Sequence, residues 1–185
     1  MITQDMRFNE AQLKALIGKK FKKYHCDPFM YTNSVTQNVG LFVGNQLYML
    51  LNQMQSVDYF GATEDMAVFQ FKEGTKDELG SALQGVTQSK TFVDETIKKI
   101  QIVNEEQRVL KNGALWYQVF LTRGIIFELE NREISFEKDQ LPFSEEIYIQ
   151  RGHNLLERFS NPENFQADWD EEFTPECIRR IIEIE

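Results

Sequence analysis

The dipeptide Asn112-Gly113 and the strand-like runs beside it constrain the fold more than any other part of this chain. Asn-Gly favours the positive φ angles that both central residues of a type I′ hairpin turn require. After the turn, Tyr117 falls on one face of an extended segment, whereas Trp116 and Phe120 fall on the other. Since both faces are apolar, this pattern predicts a hairpin whose second strand is buried on both sides.

Other parts of the chain repeat this strand pattern. Segments 41–43 and 46–50 flank Gly44-Asn45, which predicts a second tight hairpin. Because the connections are short hairpins rather than long crossovers, the strands are predicted to be antiparallel. Strand patterns are also present in segments 67–72, 96–137 and 145–149.

Capping residues predict two helices in the first half of the chain. Asn9 is a favourable N-cap and Gly18 is a favourable residue after a helix, so the first helix is expected over 9–18. A capping-box pattern predicts a second helix over about 76–84. Both helices are expected to pack their apolar stripes on the sheet.

Two further helical segments are expected near the C-terminus. The spacing of apolar residues predicts a short helix over 152–159. Thr174 and Pro175 are good N-cap and N1 residues for a terminal helix. The alternation of Ile182 and Ile184 also allows a terminal strand.

Together these patterns predict an α+β fold. A mainly antiparallel, strongly curved sheet or partly open β-barrel would carry several short helices. The length and the lack of a Pro/Gly/Ser-rich linker favour a single domain over 1–185. Its parts are expected to be a basic N-terminal helix over 9–18, a β-rich body over 20–150, and a helical, acidic segment over 151–185.

Charge is unevenly distributed along the chain. The formal net charge is −9, but residues 1–26 carry +4 and the remainder carries −13. Within 163–185, eight acidic residues face only two arginines. Such an asymmetry can steer an oppositely charged partner, although charge of this kind also serves ordinary solubility.

Composition argues against several classes of protein. Hydrophobic residues make up 42% of the chain, which is too much for a disordered protein, and two cysteines cannot form a disulfide-rich scaffold. The negative net charge argues against nucleic-acid binding, although segment 19–24 mixes lysines with aromatic residues. Without a secretory signal or an apolar run near the roughly 20 residues of a bilayer span, we expect a cytoplasmic protein with no membrane contact.

No motif establishes a catalytic chemistry. The chain has neither a GxxxxGK[ST] loop nor a GxGxxG pattern, and we predict no catalytic residue, metal ion or cofactor. A metal site would need His25 or Cys26 to meet His153, with Glu157 or Cys177 as a further ligand. A Cys-His nucleophile would pair Cys26 with His25, or Cys177 with either histidine. We interpret these residues as structural, and the sequence leaves their convergence open. Acidic pairs such as Glu105-Glu106 are interpreted as solvated loop charges.

The acidic C-terminal segment leads to the first functional hypothesis, a non-catalytic binding or protein-interaction module. Trp169 stands between Asp168 and Asp170, and Glu171 and Glu172 follow directly. Because Trp is enriched at interface hot spots, these five residues are the predicted contact with a basic protein partner. A specific version is an inhibitor or immunity-type protein that covers such a partner. Alternatively, Trp169 anchors the C-terminal segment to the core.

The second hypothesis is a small-molecule-binding β-barrel, with or without enzymatic activity. Aromatic side chains on a curved sheet can enclose an apolar pocket for a ligand. The candidate pocket residues are Tyr48, Trp116, Tyr117 and Phe120. Convergence of these side chains around a cavity would favour this hypothesis over the first.

Overall fold

The computed structural model describes residues 2–59 and 62–185, and most of them lie in β-strands. Strands account for 59% and helices for 9%, and the strands form two sheets. The predicted α+β class is therefore wrong, because this is essentially an all-β fold. Within the described residues the strands close no barrel, whereas the prediction of mainly antiparallel strands is confirmed.

The strands are β1 (Ile2–Met6), β2 (Lys20–Cys26), β3 (Ser34–Thr36), β4 (Asn38–Val43), β5 (Gln46–Tyr59), β6 (Ala62–Glu73), β7 (Ser89–Thr96), β8 (Lys99–Lys111), β9 (Ala114–Glu128), β10 (Glu133–Lys138), β11 (Glu146–Gly152) and β12 (Phe173–Ile184). The larger sheet has seven strands in the order β12-β8-β9-β10-β11-β3, with β1 paired to β9, and the smaller has five in the order β6-β5-β4-β2-β7.

Both predicted tight turns are present. Asn112 and Gly113 have φ angles of +51° and +78°, and the pairing of β8 with β9 begins directly beside them at Lys111 and Ala114. Gly44 has a φ angle of +58° in the turn that joins β4 to β5. Local turn chemistry thus sets the register of both hairpins.

Strand β9 is the central element of the larger sheet, because three strands pair along it. β8 lies on one edge, while the other edge pairs first with β1 through residues 117–121 and then with β10 through residues 124–128. The pairing with β1 is parallel, and neither that strand nor its pairing was predicted from the sequence. The change of partner falls at Thr122 and Arg123.

The main hydrophobic core lies between the two sheets. Phe21 and Tyr24 of β2 are fully buried, and their rings lie 5.3 Å from Phe127 of β9 and 5.7 Å from Phe136 of β10, measured between centroids. A register shift in β2 between Phe21 and Lys23 lets two residues three positions apart share the inner face. Edge-on aromatic rings therefore contribute to the contact between the sheets, beside the aliphatic side chains of the same core.

The first predicted helix is present but short. Helix α1 covers Glu10–Lys14, and the Asn9 side chain accepts a hydrogen bond from the Ala11 N–H at 3.0 Å as its N-cap. Gly18 has a φ angle of +76°, and its N–H donates to the Ile97 carbonyl at 2.9 Å. The chain thus turns from the helix toward the sheet where the glycine was predicted to end it.

The predicted helix over 76–84 is wrong beyond its first turn. The capping box forms, but only Lys76–Glu78 is helical, as a 3₁₀ turn. Leu79 then packs over Gly40 of β4, so closely that a Cβ added to the glycine would lie 2.3 Å from Leu79 Cδ2. Packing of this half-buried leucine against the sheet outweighs the local helical preference.

The C-terminal segment departs most from the predicted arrangement. The helix predicted over 152–159 is reduced to a 3₁₀ turn at Leu155–Arg158. The terminal helix is also wrong, because Phe173–Ile184 forms β12 and pairs with β8 along its length, as the alternative allowed. Pairing the edge of β8 satisfies many backbone groups at once, which outweighs the capping preference of Thr174 and Pro175.

Candidate functional site

A cleft of about 360 Å³ lies against β8, β9 and β10, outside the main core. Its opposite wall is formed by residues 162–169, which we call the cover segment. The apolar lining includes Met66, Leu121, Leu141, Phe165 and Trp169. The polar lining includes Glu105, Gln107, Arg123 and Lys138.

A β-bulge places a charged side chain in this cleft. Val103 pairs with Gly124, and the next pair is Asn104 with Thr122, so Arg123 is an extra residue in β9. Bulges interrupt the ladder locally and redirect a side chain. Here the redirected guanidinium of Arg123 becomes part of the cleft wall.

Glu105 lies between two arginines. Arg123 Nε and Nη2 donate to Glu105 Oε2 at 3.1 and 2.7 Å, and Arg179 Nη2 donates to Oε1 at 2.6 Å. Arg123 Nη1 donates to the carbonyls of Lys138 and Asp139 at 3.3 and 2.8 Å. Burial alone would raise the pKa of Glu105, but the charges and hydrogen bonds of both arginines hold it below its usual value. The network therefore joins β8, β9 and β12 through ionised groups.

A second polar contact fixes the chain just before the cover segment. Glu137 of β10 accepts hydrogen bonds from the Ser160 hydroxyl and from the Ser160 N–H, the latter at 2.9 Å. Arg179 Nη2 also donates to the Ser160 carbonyl at 2.6 Å. Burial raises the pKa of Glu137. Ser160 is thus held from both its amide and its carbonyl side.

Lys138 has the most unusual environment in the cleft. Its side chain is 3% exposed, and within residues 2–59 and 62–185 its ammonium makes one hydrogen bond, to the Asp139 carbonyl at 3.4 Å. An ammonium has three donors, so hydrogen-bonding capacity remains. Burial, and after it the charge of Arg123, lowers the pKa of Lys138 to about 7. At neutral pH the cleft therefore contains an amine that is partly neutral.

Gln107 also lines the cleft, and its side chain carries a buried hydrogen-bond acceptor. Its side chain is 4% exposed, and Nε2 donates to Glu105 Oε2 at 3.4 Å. Its Oε1 is buried and has no hydrogen-bond partner among the described residues. Since nearly all buried polar atoms in proteins are paired, this acceptor is an exception that needs a reason.

Aromatic contacts hold the cover segment in place. The Trp169 indole N–H donates to the Phe165 carbonyl at 2.8 Å, and the two rings lie 5.6 Å apart. Trp169 also contacts Phe173 of β12 at 5.9 Å, and Phe173 contacts Trp116 of β9 at 5.2 Å. Trp169 therefore links the cover segment to the sheet while it lines the cleft.

The acidic residues of the predicted interaction site lie at and just after the end of the cover segment. Asp168, Asp170 and Glu171 are exposed, and Asp168, with a φ angle of +65°, also lines the cleft. Glu172 is exposed too, and its Oε1 lies 3.3 Å from Lys111 Nζ. The structure therefore presents four exposed carboxylates here, one of them ion-paired, and their contact with a basic protein stays a prediction.

The predicted pocket residues do not line the cleft, and two of them are fully or almost fully buried. Tyr48 stacks on Phe71 in the main core, with 5.2 Å between ring centroids. The Tyr117 hydroxyl donates to the Asp58 carbonyl at 2.5 Å. These tyrosines belong to different hydrophobic clusters, so they contribute to packing in separate places.

The other two predicted pocket residues lie near the surface. Trp116 is 36% exposed, and Phe120 is half-buried beneath the Arg7 guanidinium, which lies 5.0 Å from its ring centroid. The prediction that the strand after Asn112-Gly113 is buried on both faces is therefore wrong for its first half. There, only the face that carries Tyr117 is buried, and it is buried from Tyr117 onward.

Sequence reasoning missed the polar residues of the cleft. The interpretation of Glu105 as a solvated loop charge is wrong, because it lies in β8 and is 2% exposed. A signal was present: Glu105 and Gln107 occupy the alternate positions between Val103 and Val109, both of which are fully buried. Polar residues at inward positions of a strand are often functional or paired.

The His and Cys residues do not assemble into a metal site. Among the residues that the structure describes, no group of three or more His, Cys, Asp or Glu is placed to hold a metal ion. Cys26 of β2 and Cys177 of β12 are free thiols. Burial raises the pKa of Cys26 to about 11 and, together with the charge of Glu105, that of Cys177 to about 12. Both thiols are therefore protonated at neutral pH, the opposite of an activated nucleophile.

No protein-family model, curated protein or solved structure matches the chain. Over residues 2–59 and 62–185, no helix combines the length and apolar character needed to cross a membrane.

Proposed function

We propose that the protein binds a small, largely apolar molecule with a polar end in the cleft beneath the cover segment. The observation that carries this proposal is the pair of incompletely satisfied groups in the cleft lining, the Lys138 ammonium and Gln107 Oε1. A buried polar group without a partner costs about 1–3 kcal/mol. A ligand that completes both sets of hydrogen bonds would remove that cost.

The two groups define the polar end of the ligand. Lys138 donates, so it favours a carboxylate, sulfonate or carbonyl oxygen. Gln107 Oε1 accepts, so it favours a hydroxyl or N–H on the same molecule. Arg123 adds positive potential, but its nitrogens already donate to Glu105 and to backbone carbonyls. Its contribution is therefore electrostatic, without a direct bond.

The remaining wall accommodates an apolar or aromatic body. Leu121 lies on the sheet side, Phe165 and Trp169 lie on the cover side, and Leu141 is 64% exposed at the loop that borders them. The volume of about 360 Å³ falls within the range of ordinary small-molecule sites, roughly 300–1,000 Å³. Aromatic side chains with a few converging polar groups are typical of such sites.

The probe for this proposal is 1-anilinonaphthalene-8-sulfonate, which combines aromatic rings with an N–H donor and an anionic acceptor. Calorimetric titration of the full chain should show one saturable site. Ala167→Trp places a large ring in the cleft lining and should weaken binding at least about tenfold, which corresponds to about 1.4 kcal/mol. Gln107→Leu removes the acceptor and should weaken binding in the same direction.

The matched control is Ala82→Trp, the same change at an exposed loop position. It should leave the affinity for the probe unchanged. Equal affinity for the Ala167→Trp and Ala82→Trp variants would mean that the probe binds elsewhere, and no measurable binding to the unmodified chain would also contradict the proposal.

A further inference from the structure

The Lys138 side chain combines three features that a nucleophilic amine needs. Lys138 is one of the residues that line the cleft. It is 3% exposed, so bulk water does not solvate its charge. Its hydrogen bond to the Asp139 carbonyl is long, at 3.4 Å, so little holds the nitrogen in its resting position.

The charges around the amine explain its protonation. Arg123 lies on the neighbouring strand and lowers the pKa of Lys138 in the same direction as burial does, while Asp139 and Glu105 act in the opposite direction. Glu105 is already engaged by Arg123 and Arg179, so it forms no ion pair with the amine. With a pKa of about 7, a large fraction of the amine is neutral at pH 7. An ordinary lysine is neutral roughly once in a few thousand molecules at that pH.

We propose that the Lys138 amine reacts with apolar aldehydes in the cleft and holds them as an imine. This inference rests on the proposed ligand-binding function and adds the reactive group of the ligand. The neutral amine attacks the carbonyl carbon through its nitrogen lone pair, so a C–N bond forms and the C=O π bond breaks, and one proton passes from the nitrogen to the oxygen to give a carbinolamine. Loss of one water molecule then breaks the C–O bond and forms the C=N bond.

The other cleft residues suit this reaction. The overall change is amine plus aldehyde to imine plus water, so no oxidant or reductant is consumed. Gln107 Oε1, which has no partner among the described residues, can accept a hydrogen bond from the carbinolamine hydroxyl. Leu121, Phe165 and Trp169 provide an apolar wall for an aromatic aldehyde.

Reductive trapping tests the inference. The full chain is mixed with a low concentration of benzaldehyde and sodium cyanoborohydride at pH 7, and the benzylated lysines are identified by peptide mass mapping. Lys138 should be labelled at least about tenfold faster than the exposed Lys76. The rate at Lys138 should level off above a pH near 7, whereas labelling at Lys76 should keep rising with pH.

Two pairs of variants test the roles of the cleft and of the amine separately. Ala167→Trp should slow labelling at Lys138, whereas Ala82→Trp should not. Lys138→Arg should abolish the fast phase of labelling, whereas Lys76→Arg should leave it unchanged. The rate comparison within the unmodified chain requires no variant, so it decides the matter even if Lys138→Arg fails to fold.

The outcomes distinguish this inference from the proposed function. Labelling of Lys138 no faster than Lys76, with 1-anilinonaphthalene-8-sulfonate still bound in the cleft, would overturn the imine and leave the ligand-binding function standing. Labelling of Lys138 no faster than Lys76, together with no measurable binding of 1-anilinonaphthalene-8-sulfonate, would overturn both proposals. Fast labelling that Ala167→Trp does not slow would also overturn the imine site, because the aldehyde would then reach the amine by another route.

Discussion

Arg123 donates two hydrogen bonds to one carboxylate oxygen of Glu105, from Nε at 3.1 Å and from Nη2 at 2.7 Å. Both side chains are almost fully buried, at 3% and 2% exposure. The contact crosses from β9 to β8 at the bulge, and both side chains line the cleft.

Because the two charges are buried together, neutralising one of them alone is expected to lower the free energy of unfolding strongly. Glu105→Gln leaves the Arg123 and Arg179 guanidinium groups without their shared carboxylate, and the free energy of unfolding should fall by about 3–5 kcal/mol. Urea denaturation measures the loss. The exposed Glu64→Gln is the control and should change stability by less than about 0.5 kcal/mol. A loss below about 1 kcal/mol for Glu105→Gln would contradict the assignment of a buried ionic network.

The buried Lys138 amine is expected to make the stability of the protein depend on pH, and Lys138→Met should remove that contribution. Its pKa is about 7 in the folded chain and 10.5 as the unperturbed value, so the unfolded chain binds more protons between those limits. Stability should therefore rise with pH across that window, by up to about 1.4 kcal/mol per pH unit from this group. The cost of the buried charge is fully present below pH 7 and disappears toward pH 10.5.

The measurement compares urea denaturation of the unmodified chain and of Lys138→Met from pH 6 to pH 10. Lys138→Met should be the more stable protein at pH 6, and its advantage should shrink as the pH rises. The difference between the two proteins cancels the titration of the other groups. An advantage that stays constant over this range would show that the lysine is not desolvated in solution.

The backbone at Gly124 leaves no room for a side chain, so a larger residue there is expected to destabilise the fold. A Cβ added there would lie 2.6 Å from the Phe136 carbonyl oxygen and 2.6 Å from Phe159 Cε1, and the carbonyl belongs to the β10 backbone, which cannot move away freely. Gly124→Ala should therefore reduce the free energy of unfolding by about 1–3 kcal/mol. Gly80→Ala is the matched control, because a Cβ there meets nothing within 4 Å. Equal denaturation midpoints for the two variants would contradict the close packing on Gly124.

The exposed carboxylates after the cover segment predict binding to a basic protein. Asp170→Lys combined with Glu171→Lys should weaken binding of a basic probe such as lysozyme at low ionic strength, by at least about tenfold. Glu64→Lys combined with Asp65→Lys changes the net charge equally at another exposed site and should have a smaller effect. Binding constants from calorimetry decide the comparison, and equal losses would attribute the binding to net charge rather than to this segment.

Much of the β-structure could be predicted from the sequence, because the responsible interactions are local. Asn112-Gly113 and Gly44 favour positive φ angles by themselves, and the alternation beside them determines which side chains share a face. The N-cap at Asn9 is a contact over two residues and was predicted for the same reason. The candidate site was harder, since only Trp169 and Asp168 among its lining residues were singled out from the sequence.

Where the prediction failed, a contact distant along the chain outweighed a local preference. Thr174 and Pro175 favour the start of a helix, but β12 instead pairs with a strand more than 60 residues earlier in the chain, as Thr174 with Leu110 shows. Leu79 lies outside a helix because it packs closely on Gly40. In both places, burial and backbone pairing supplied more free energy than a cap can supply.

The sequence by itself therefore determined the hairpins, the alternation of faces and the uneven charge, because each depends on neighbouring residues or on a simple count. Only the tertiary structure decided that Arg123 is the extra residue of a bulge, that Glu105 is enclosed between two arginines, and that Lys138 lines a cleft with its pKa lowered to about 7. Desolvation and electrostatic coupling depend on which strands are adjacent, and adjacency arises only when the chain is folded.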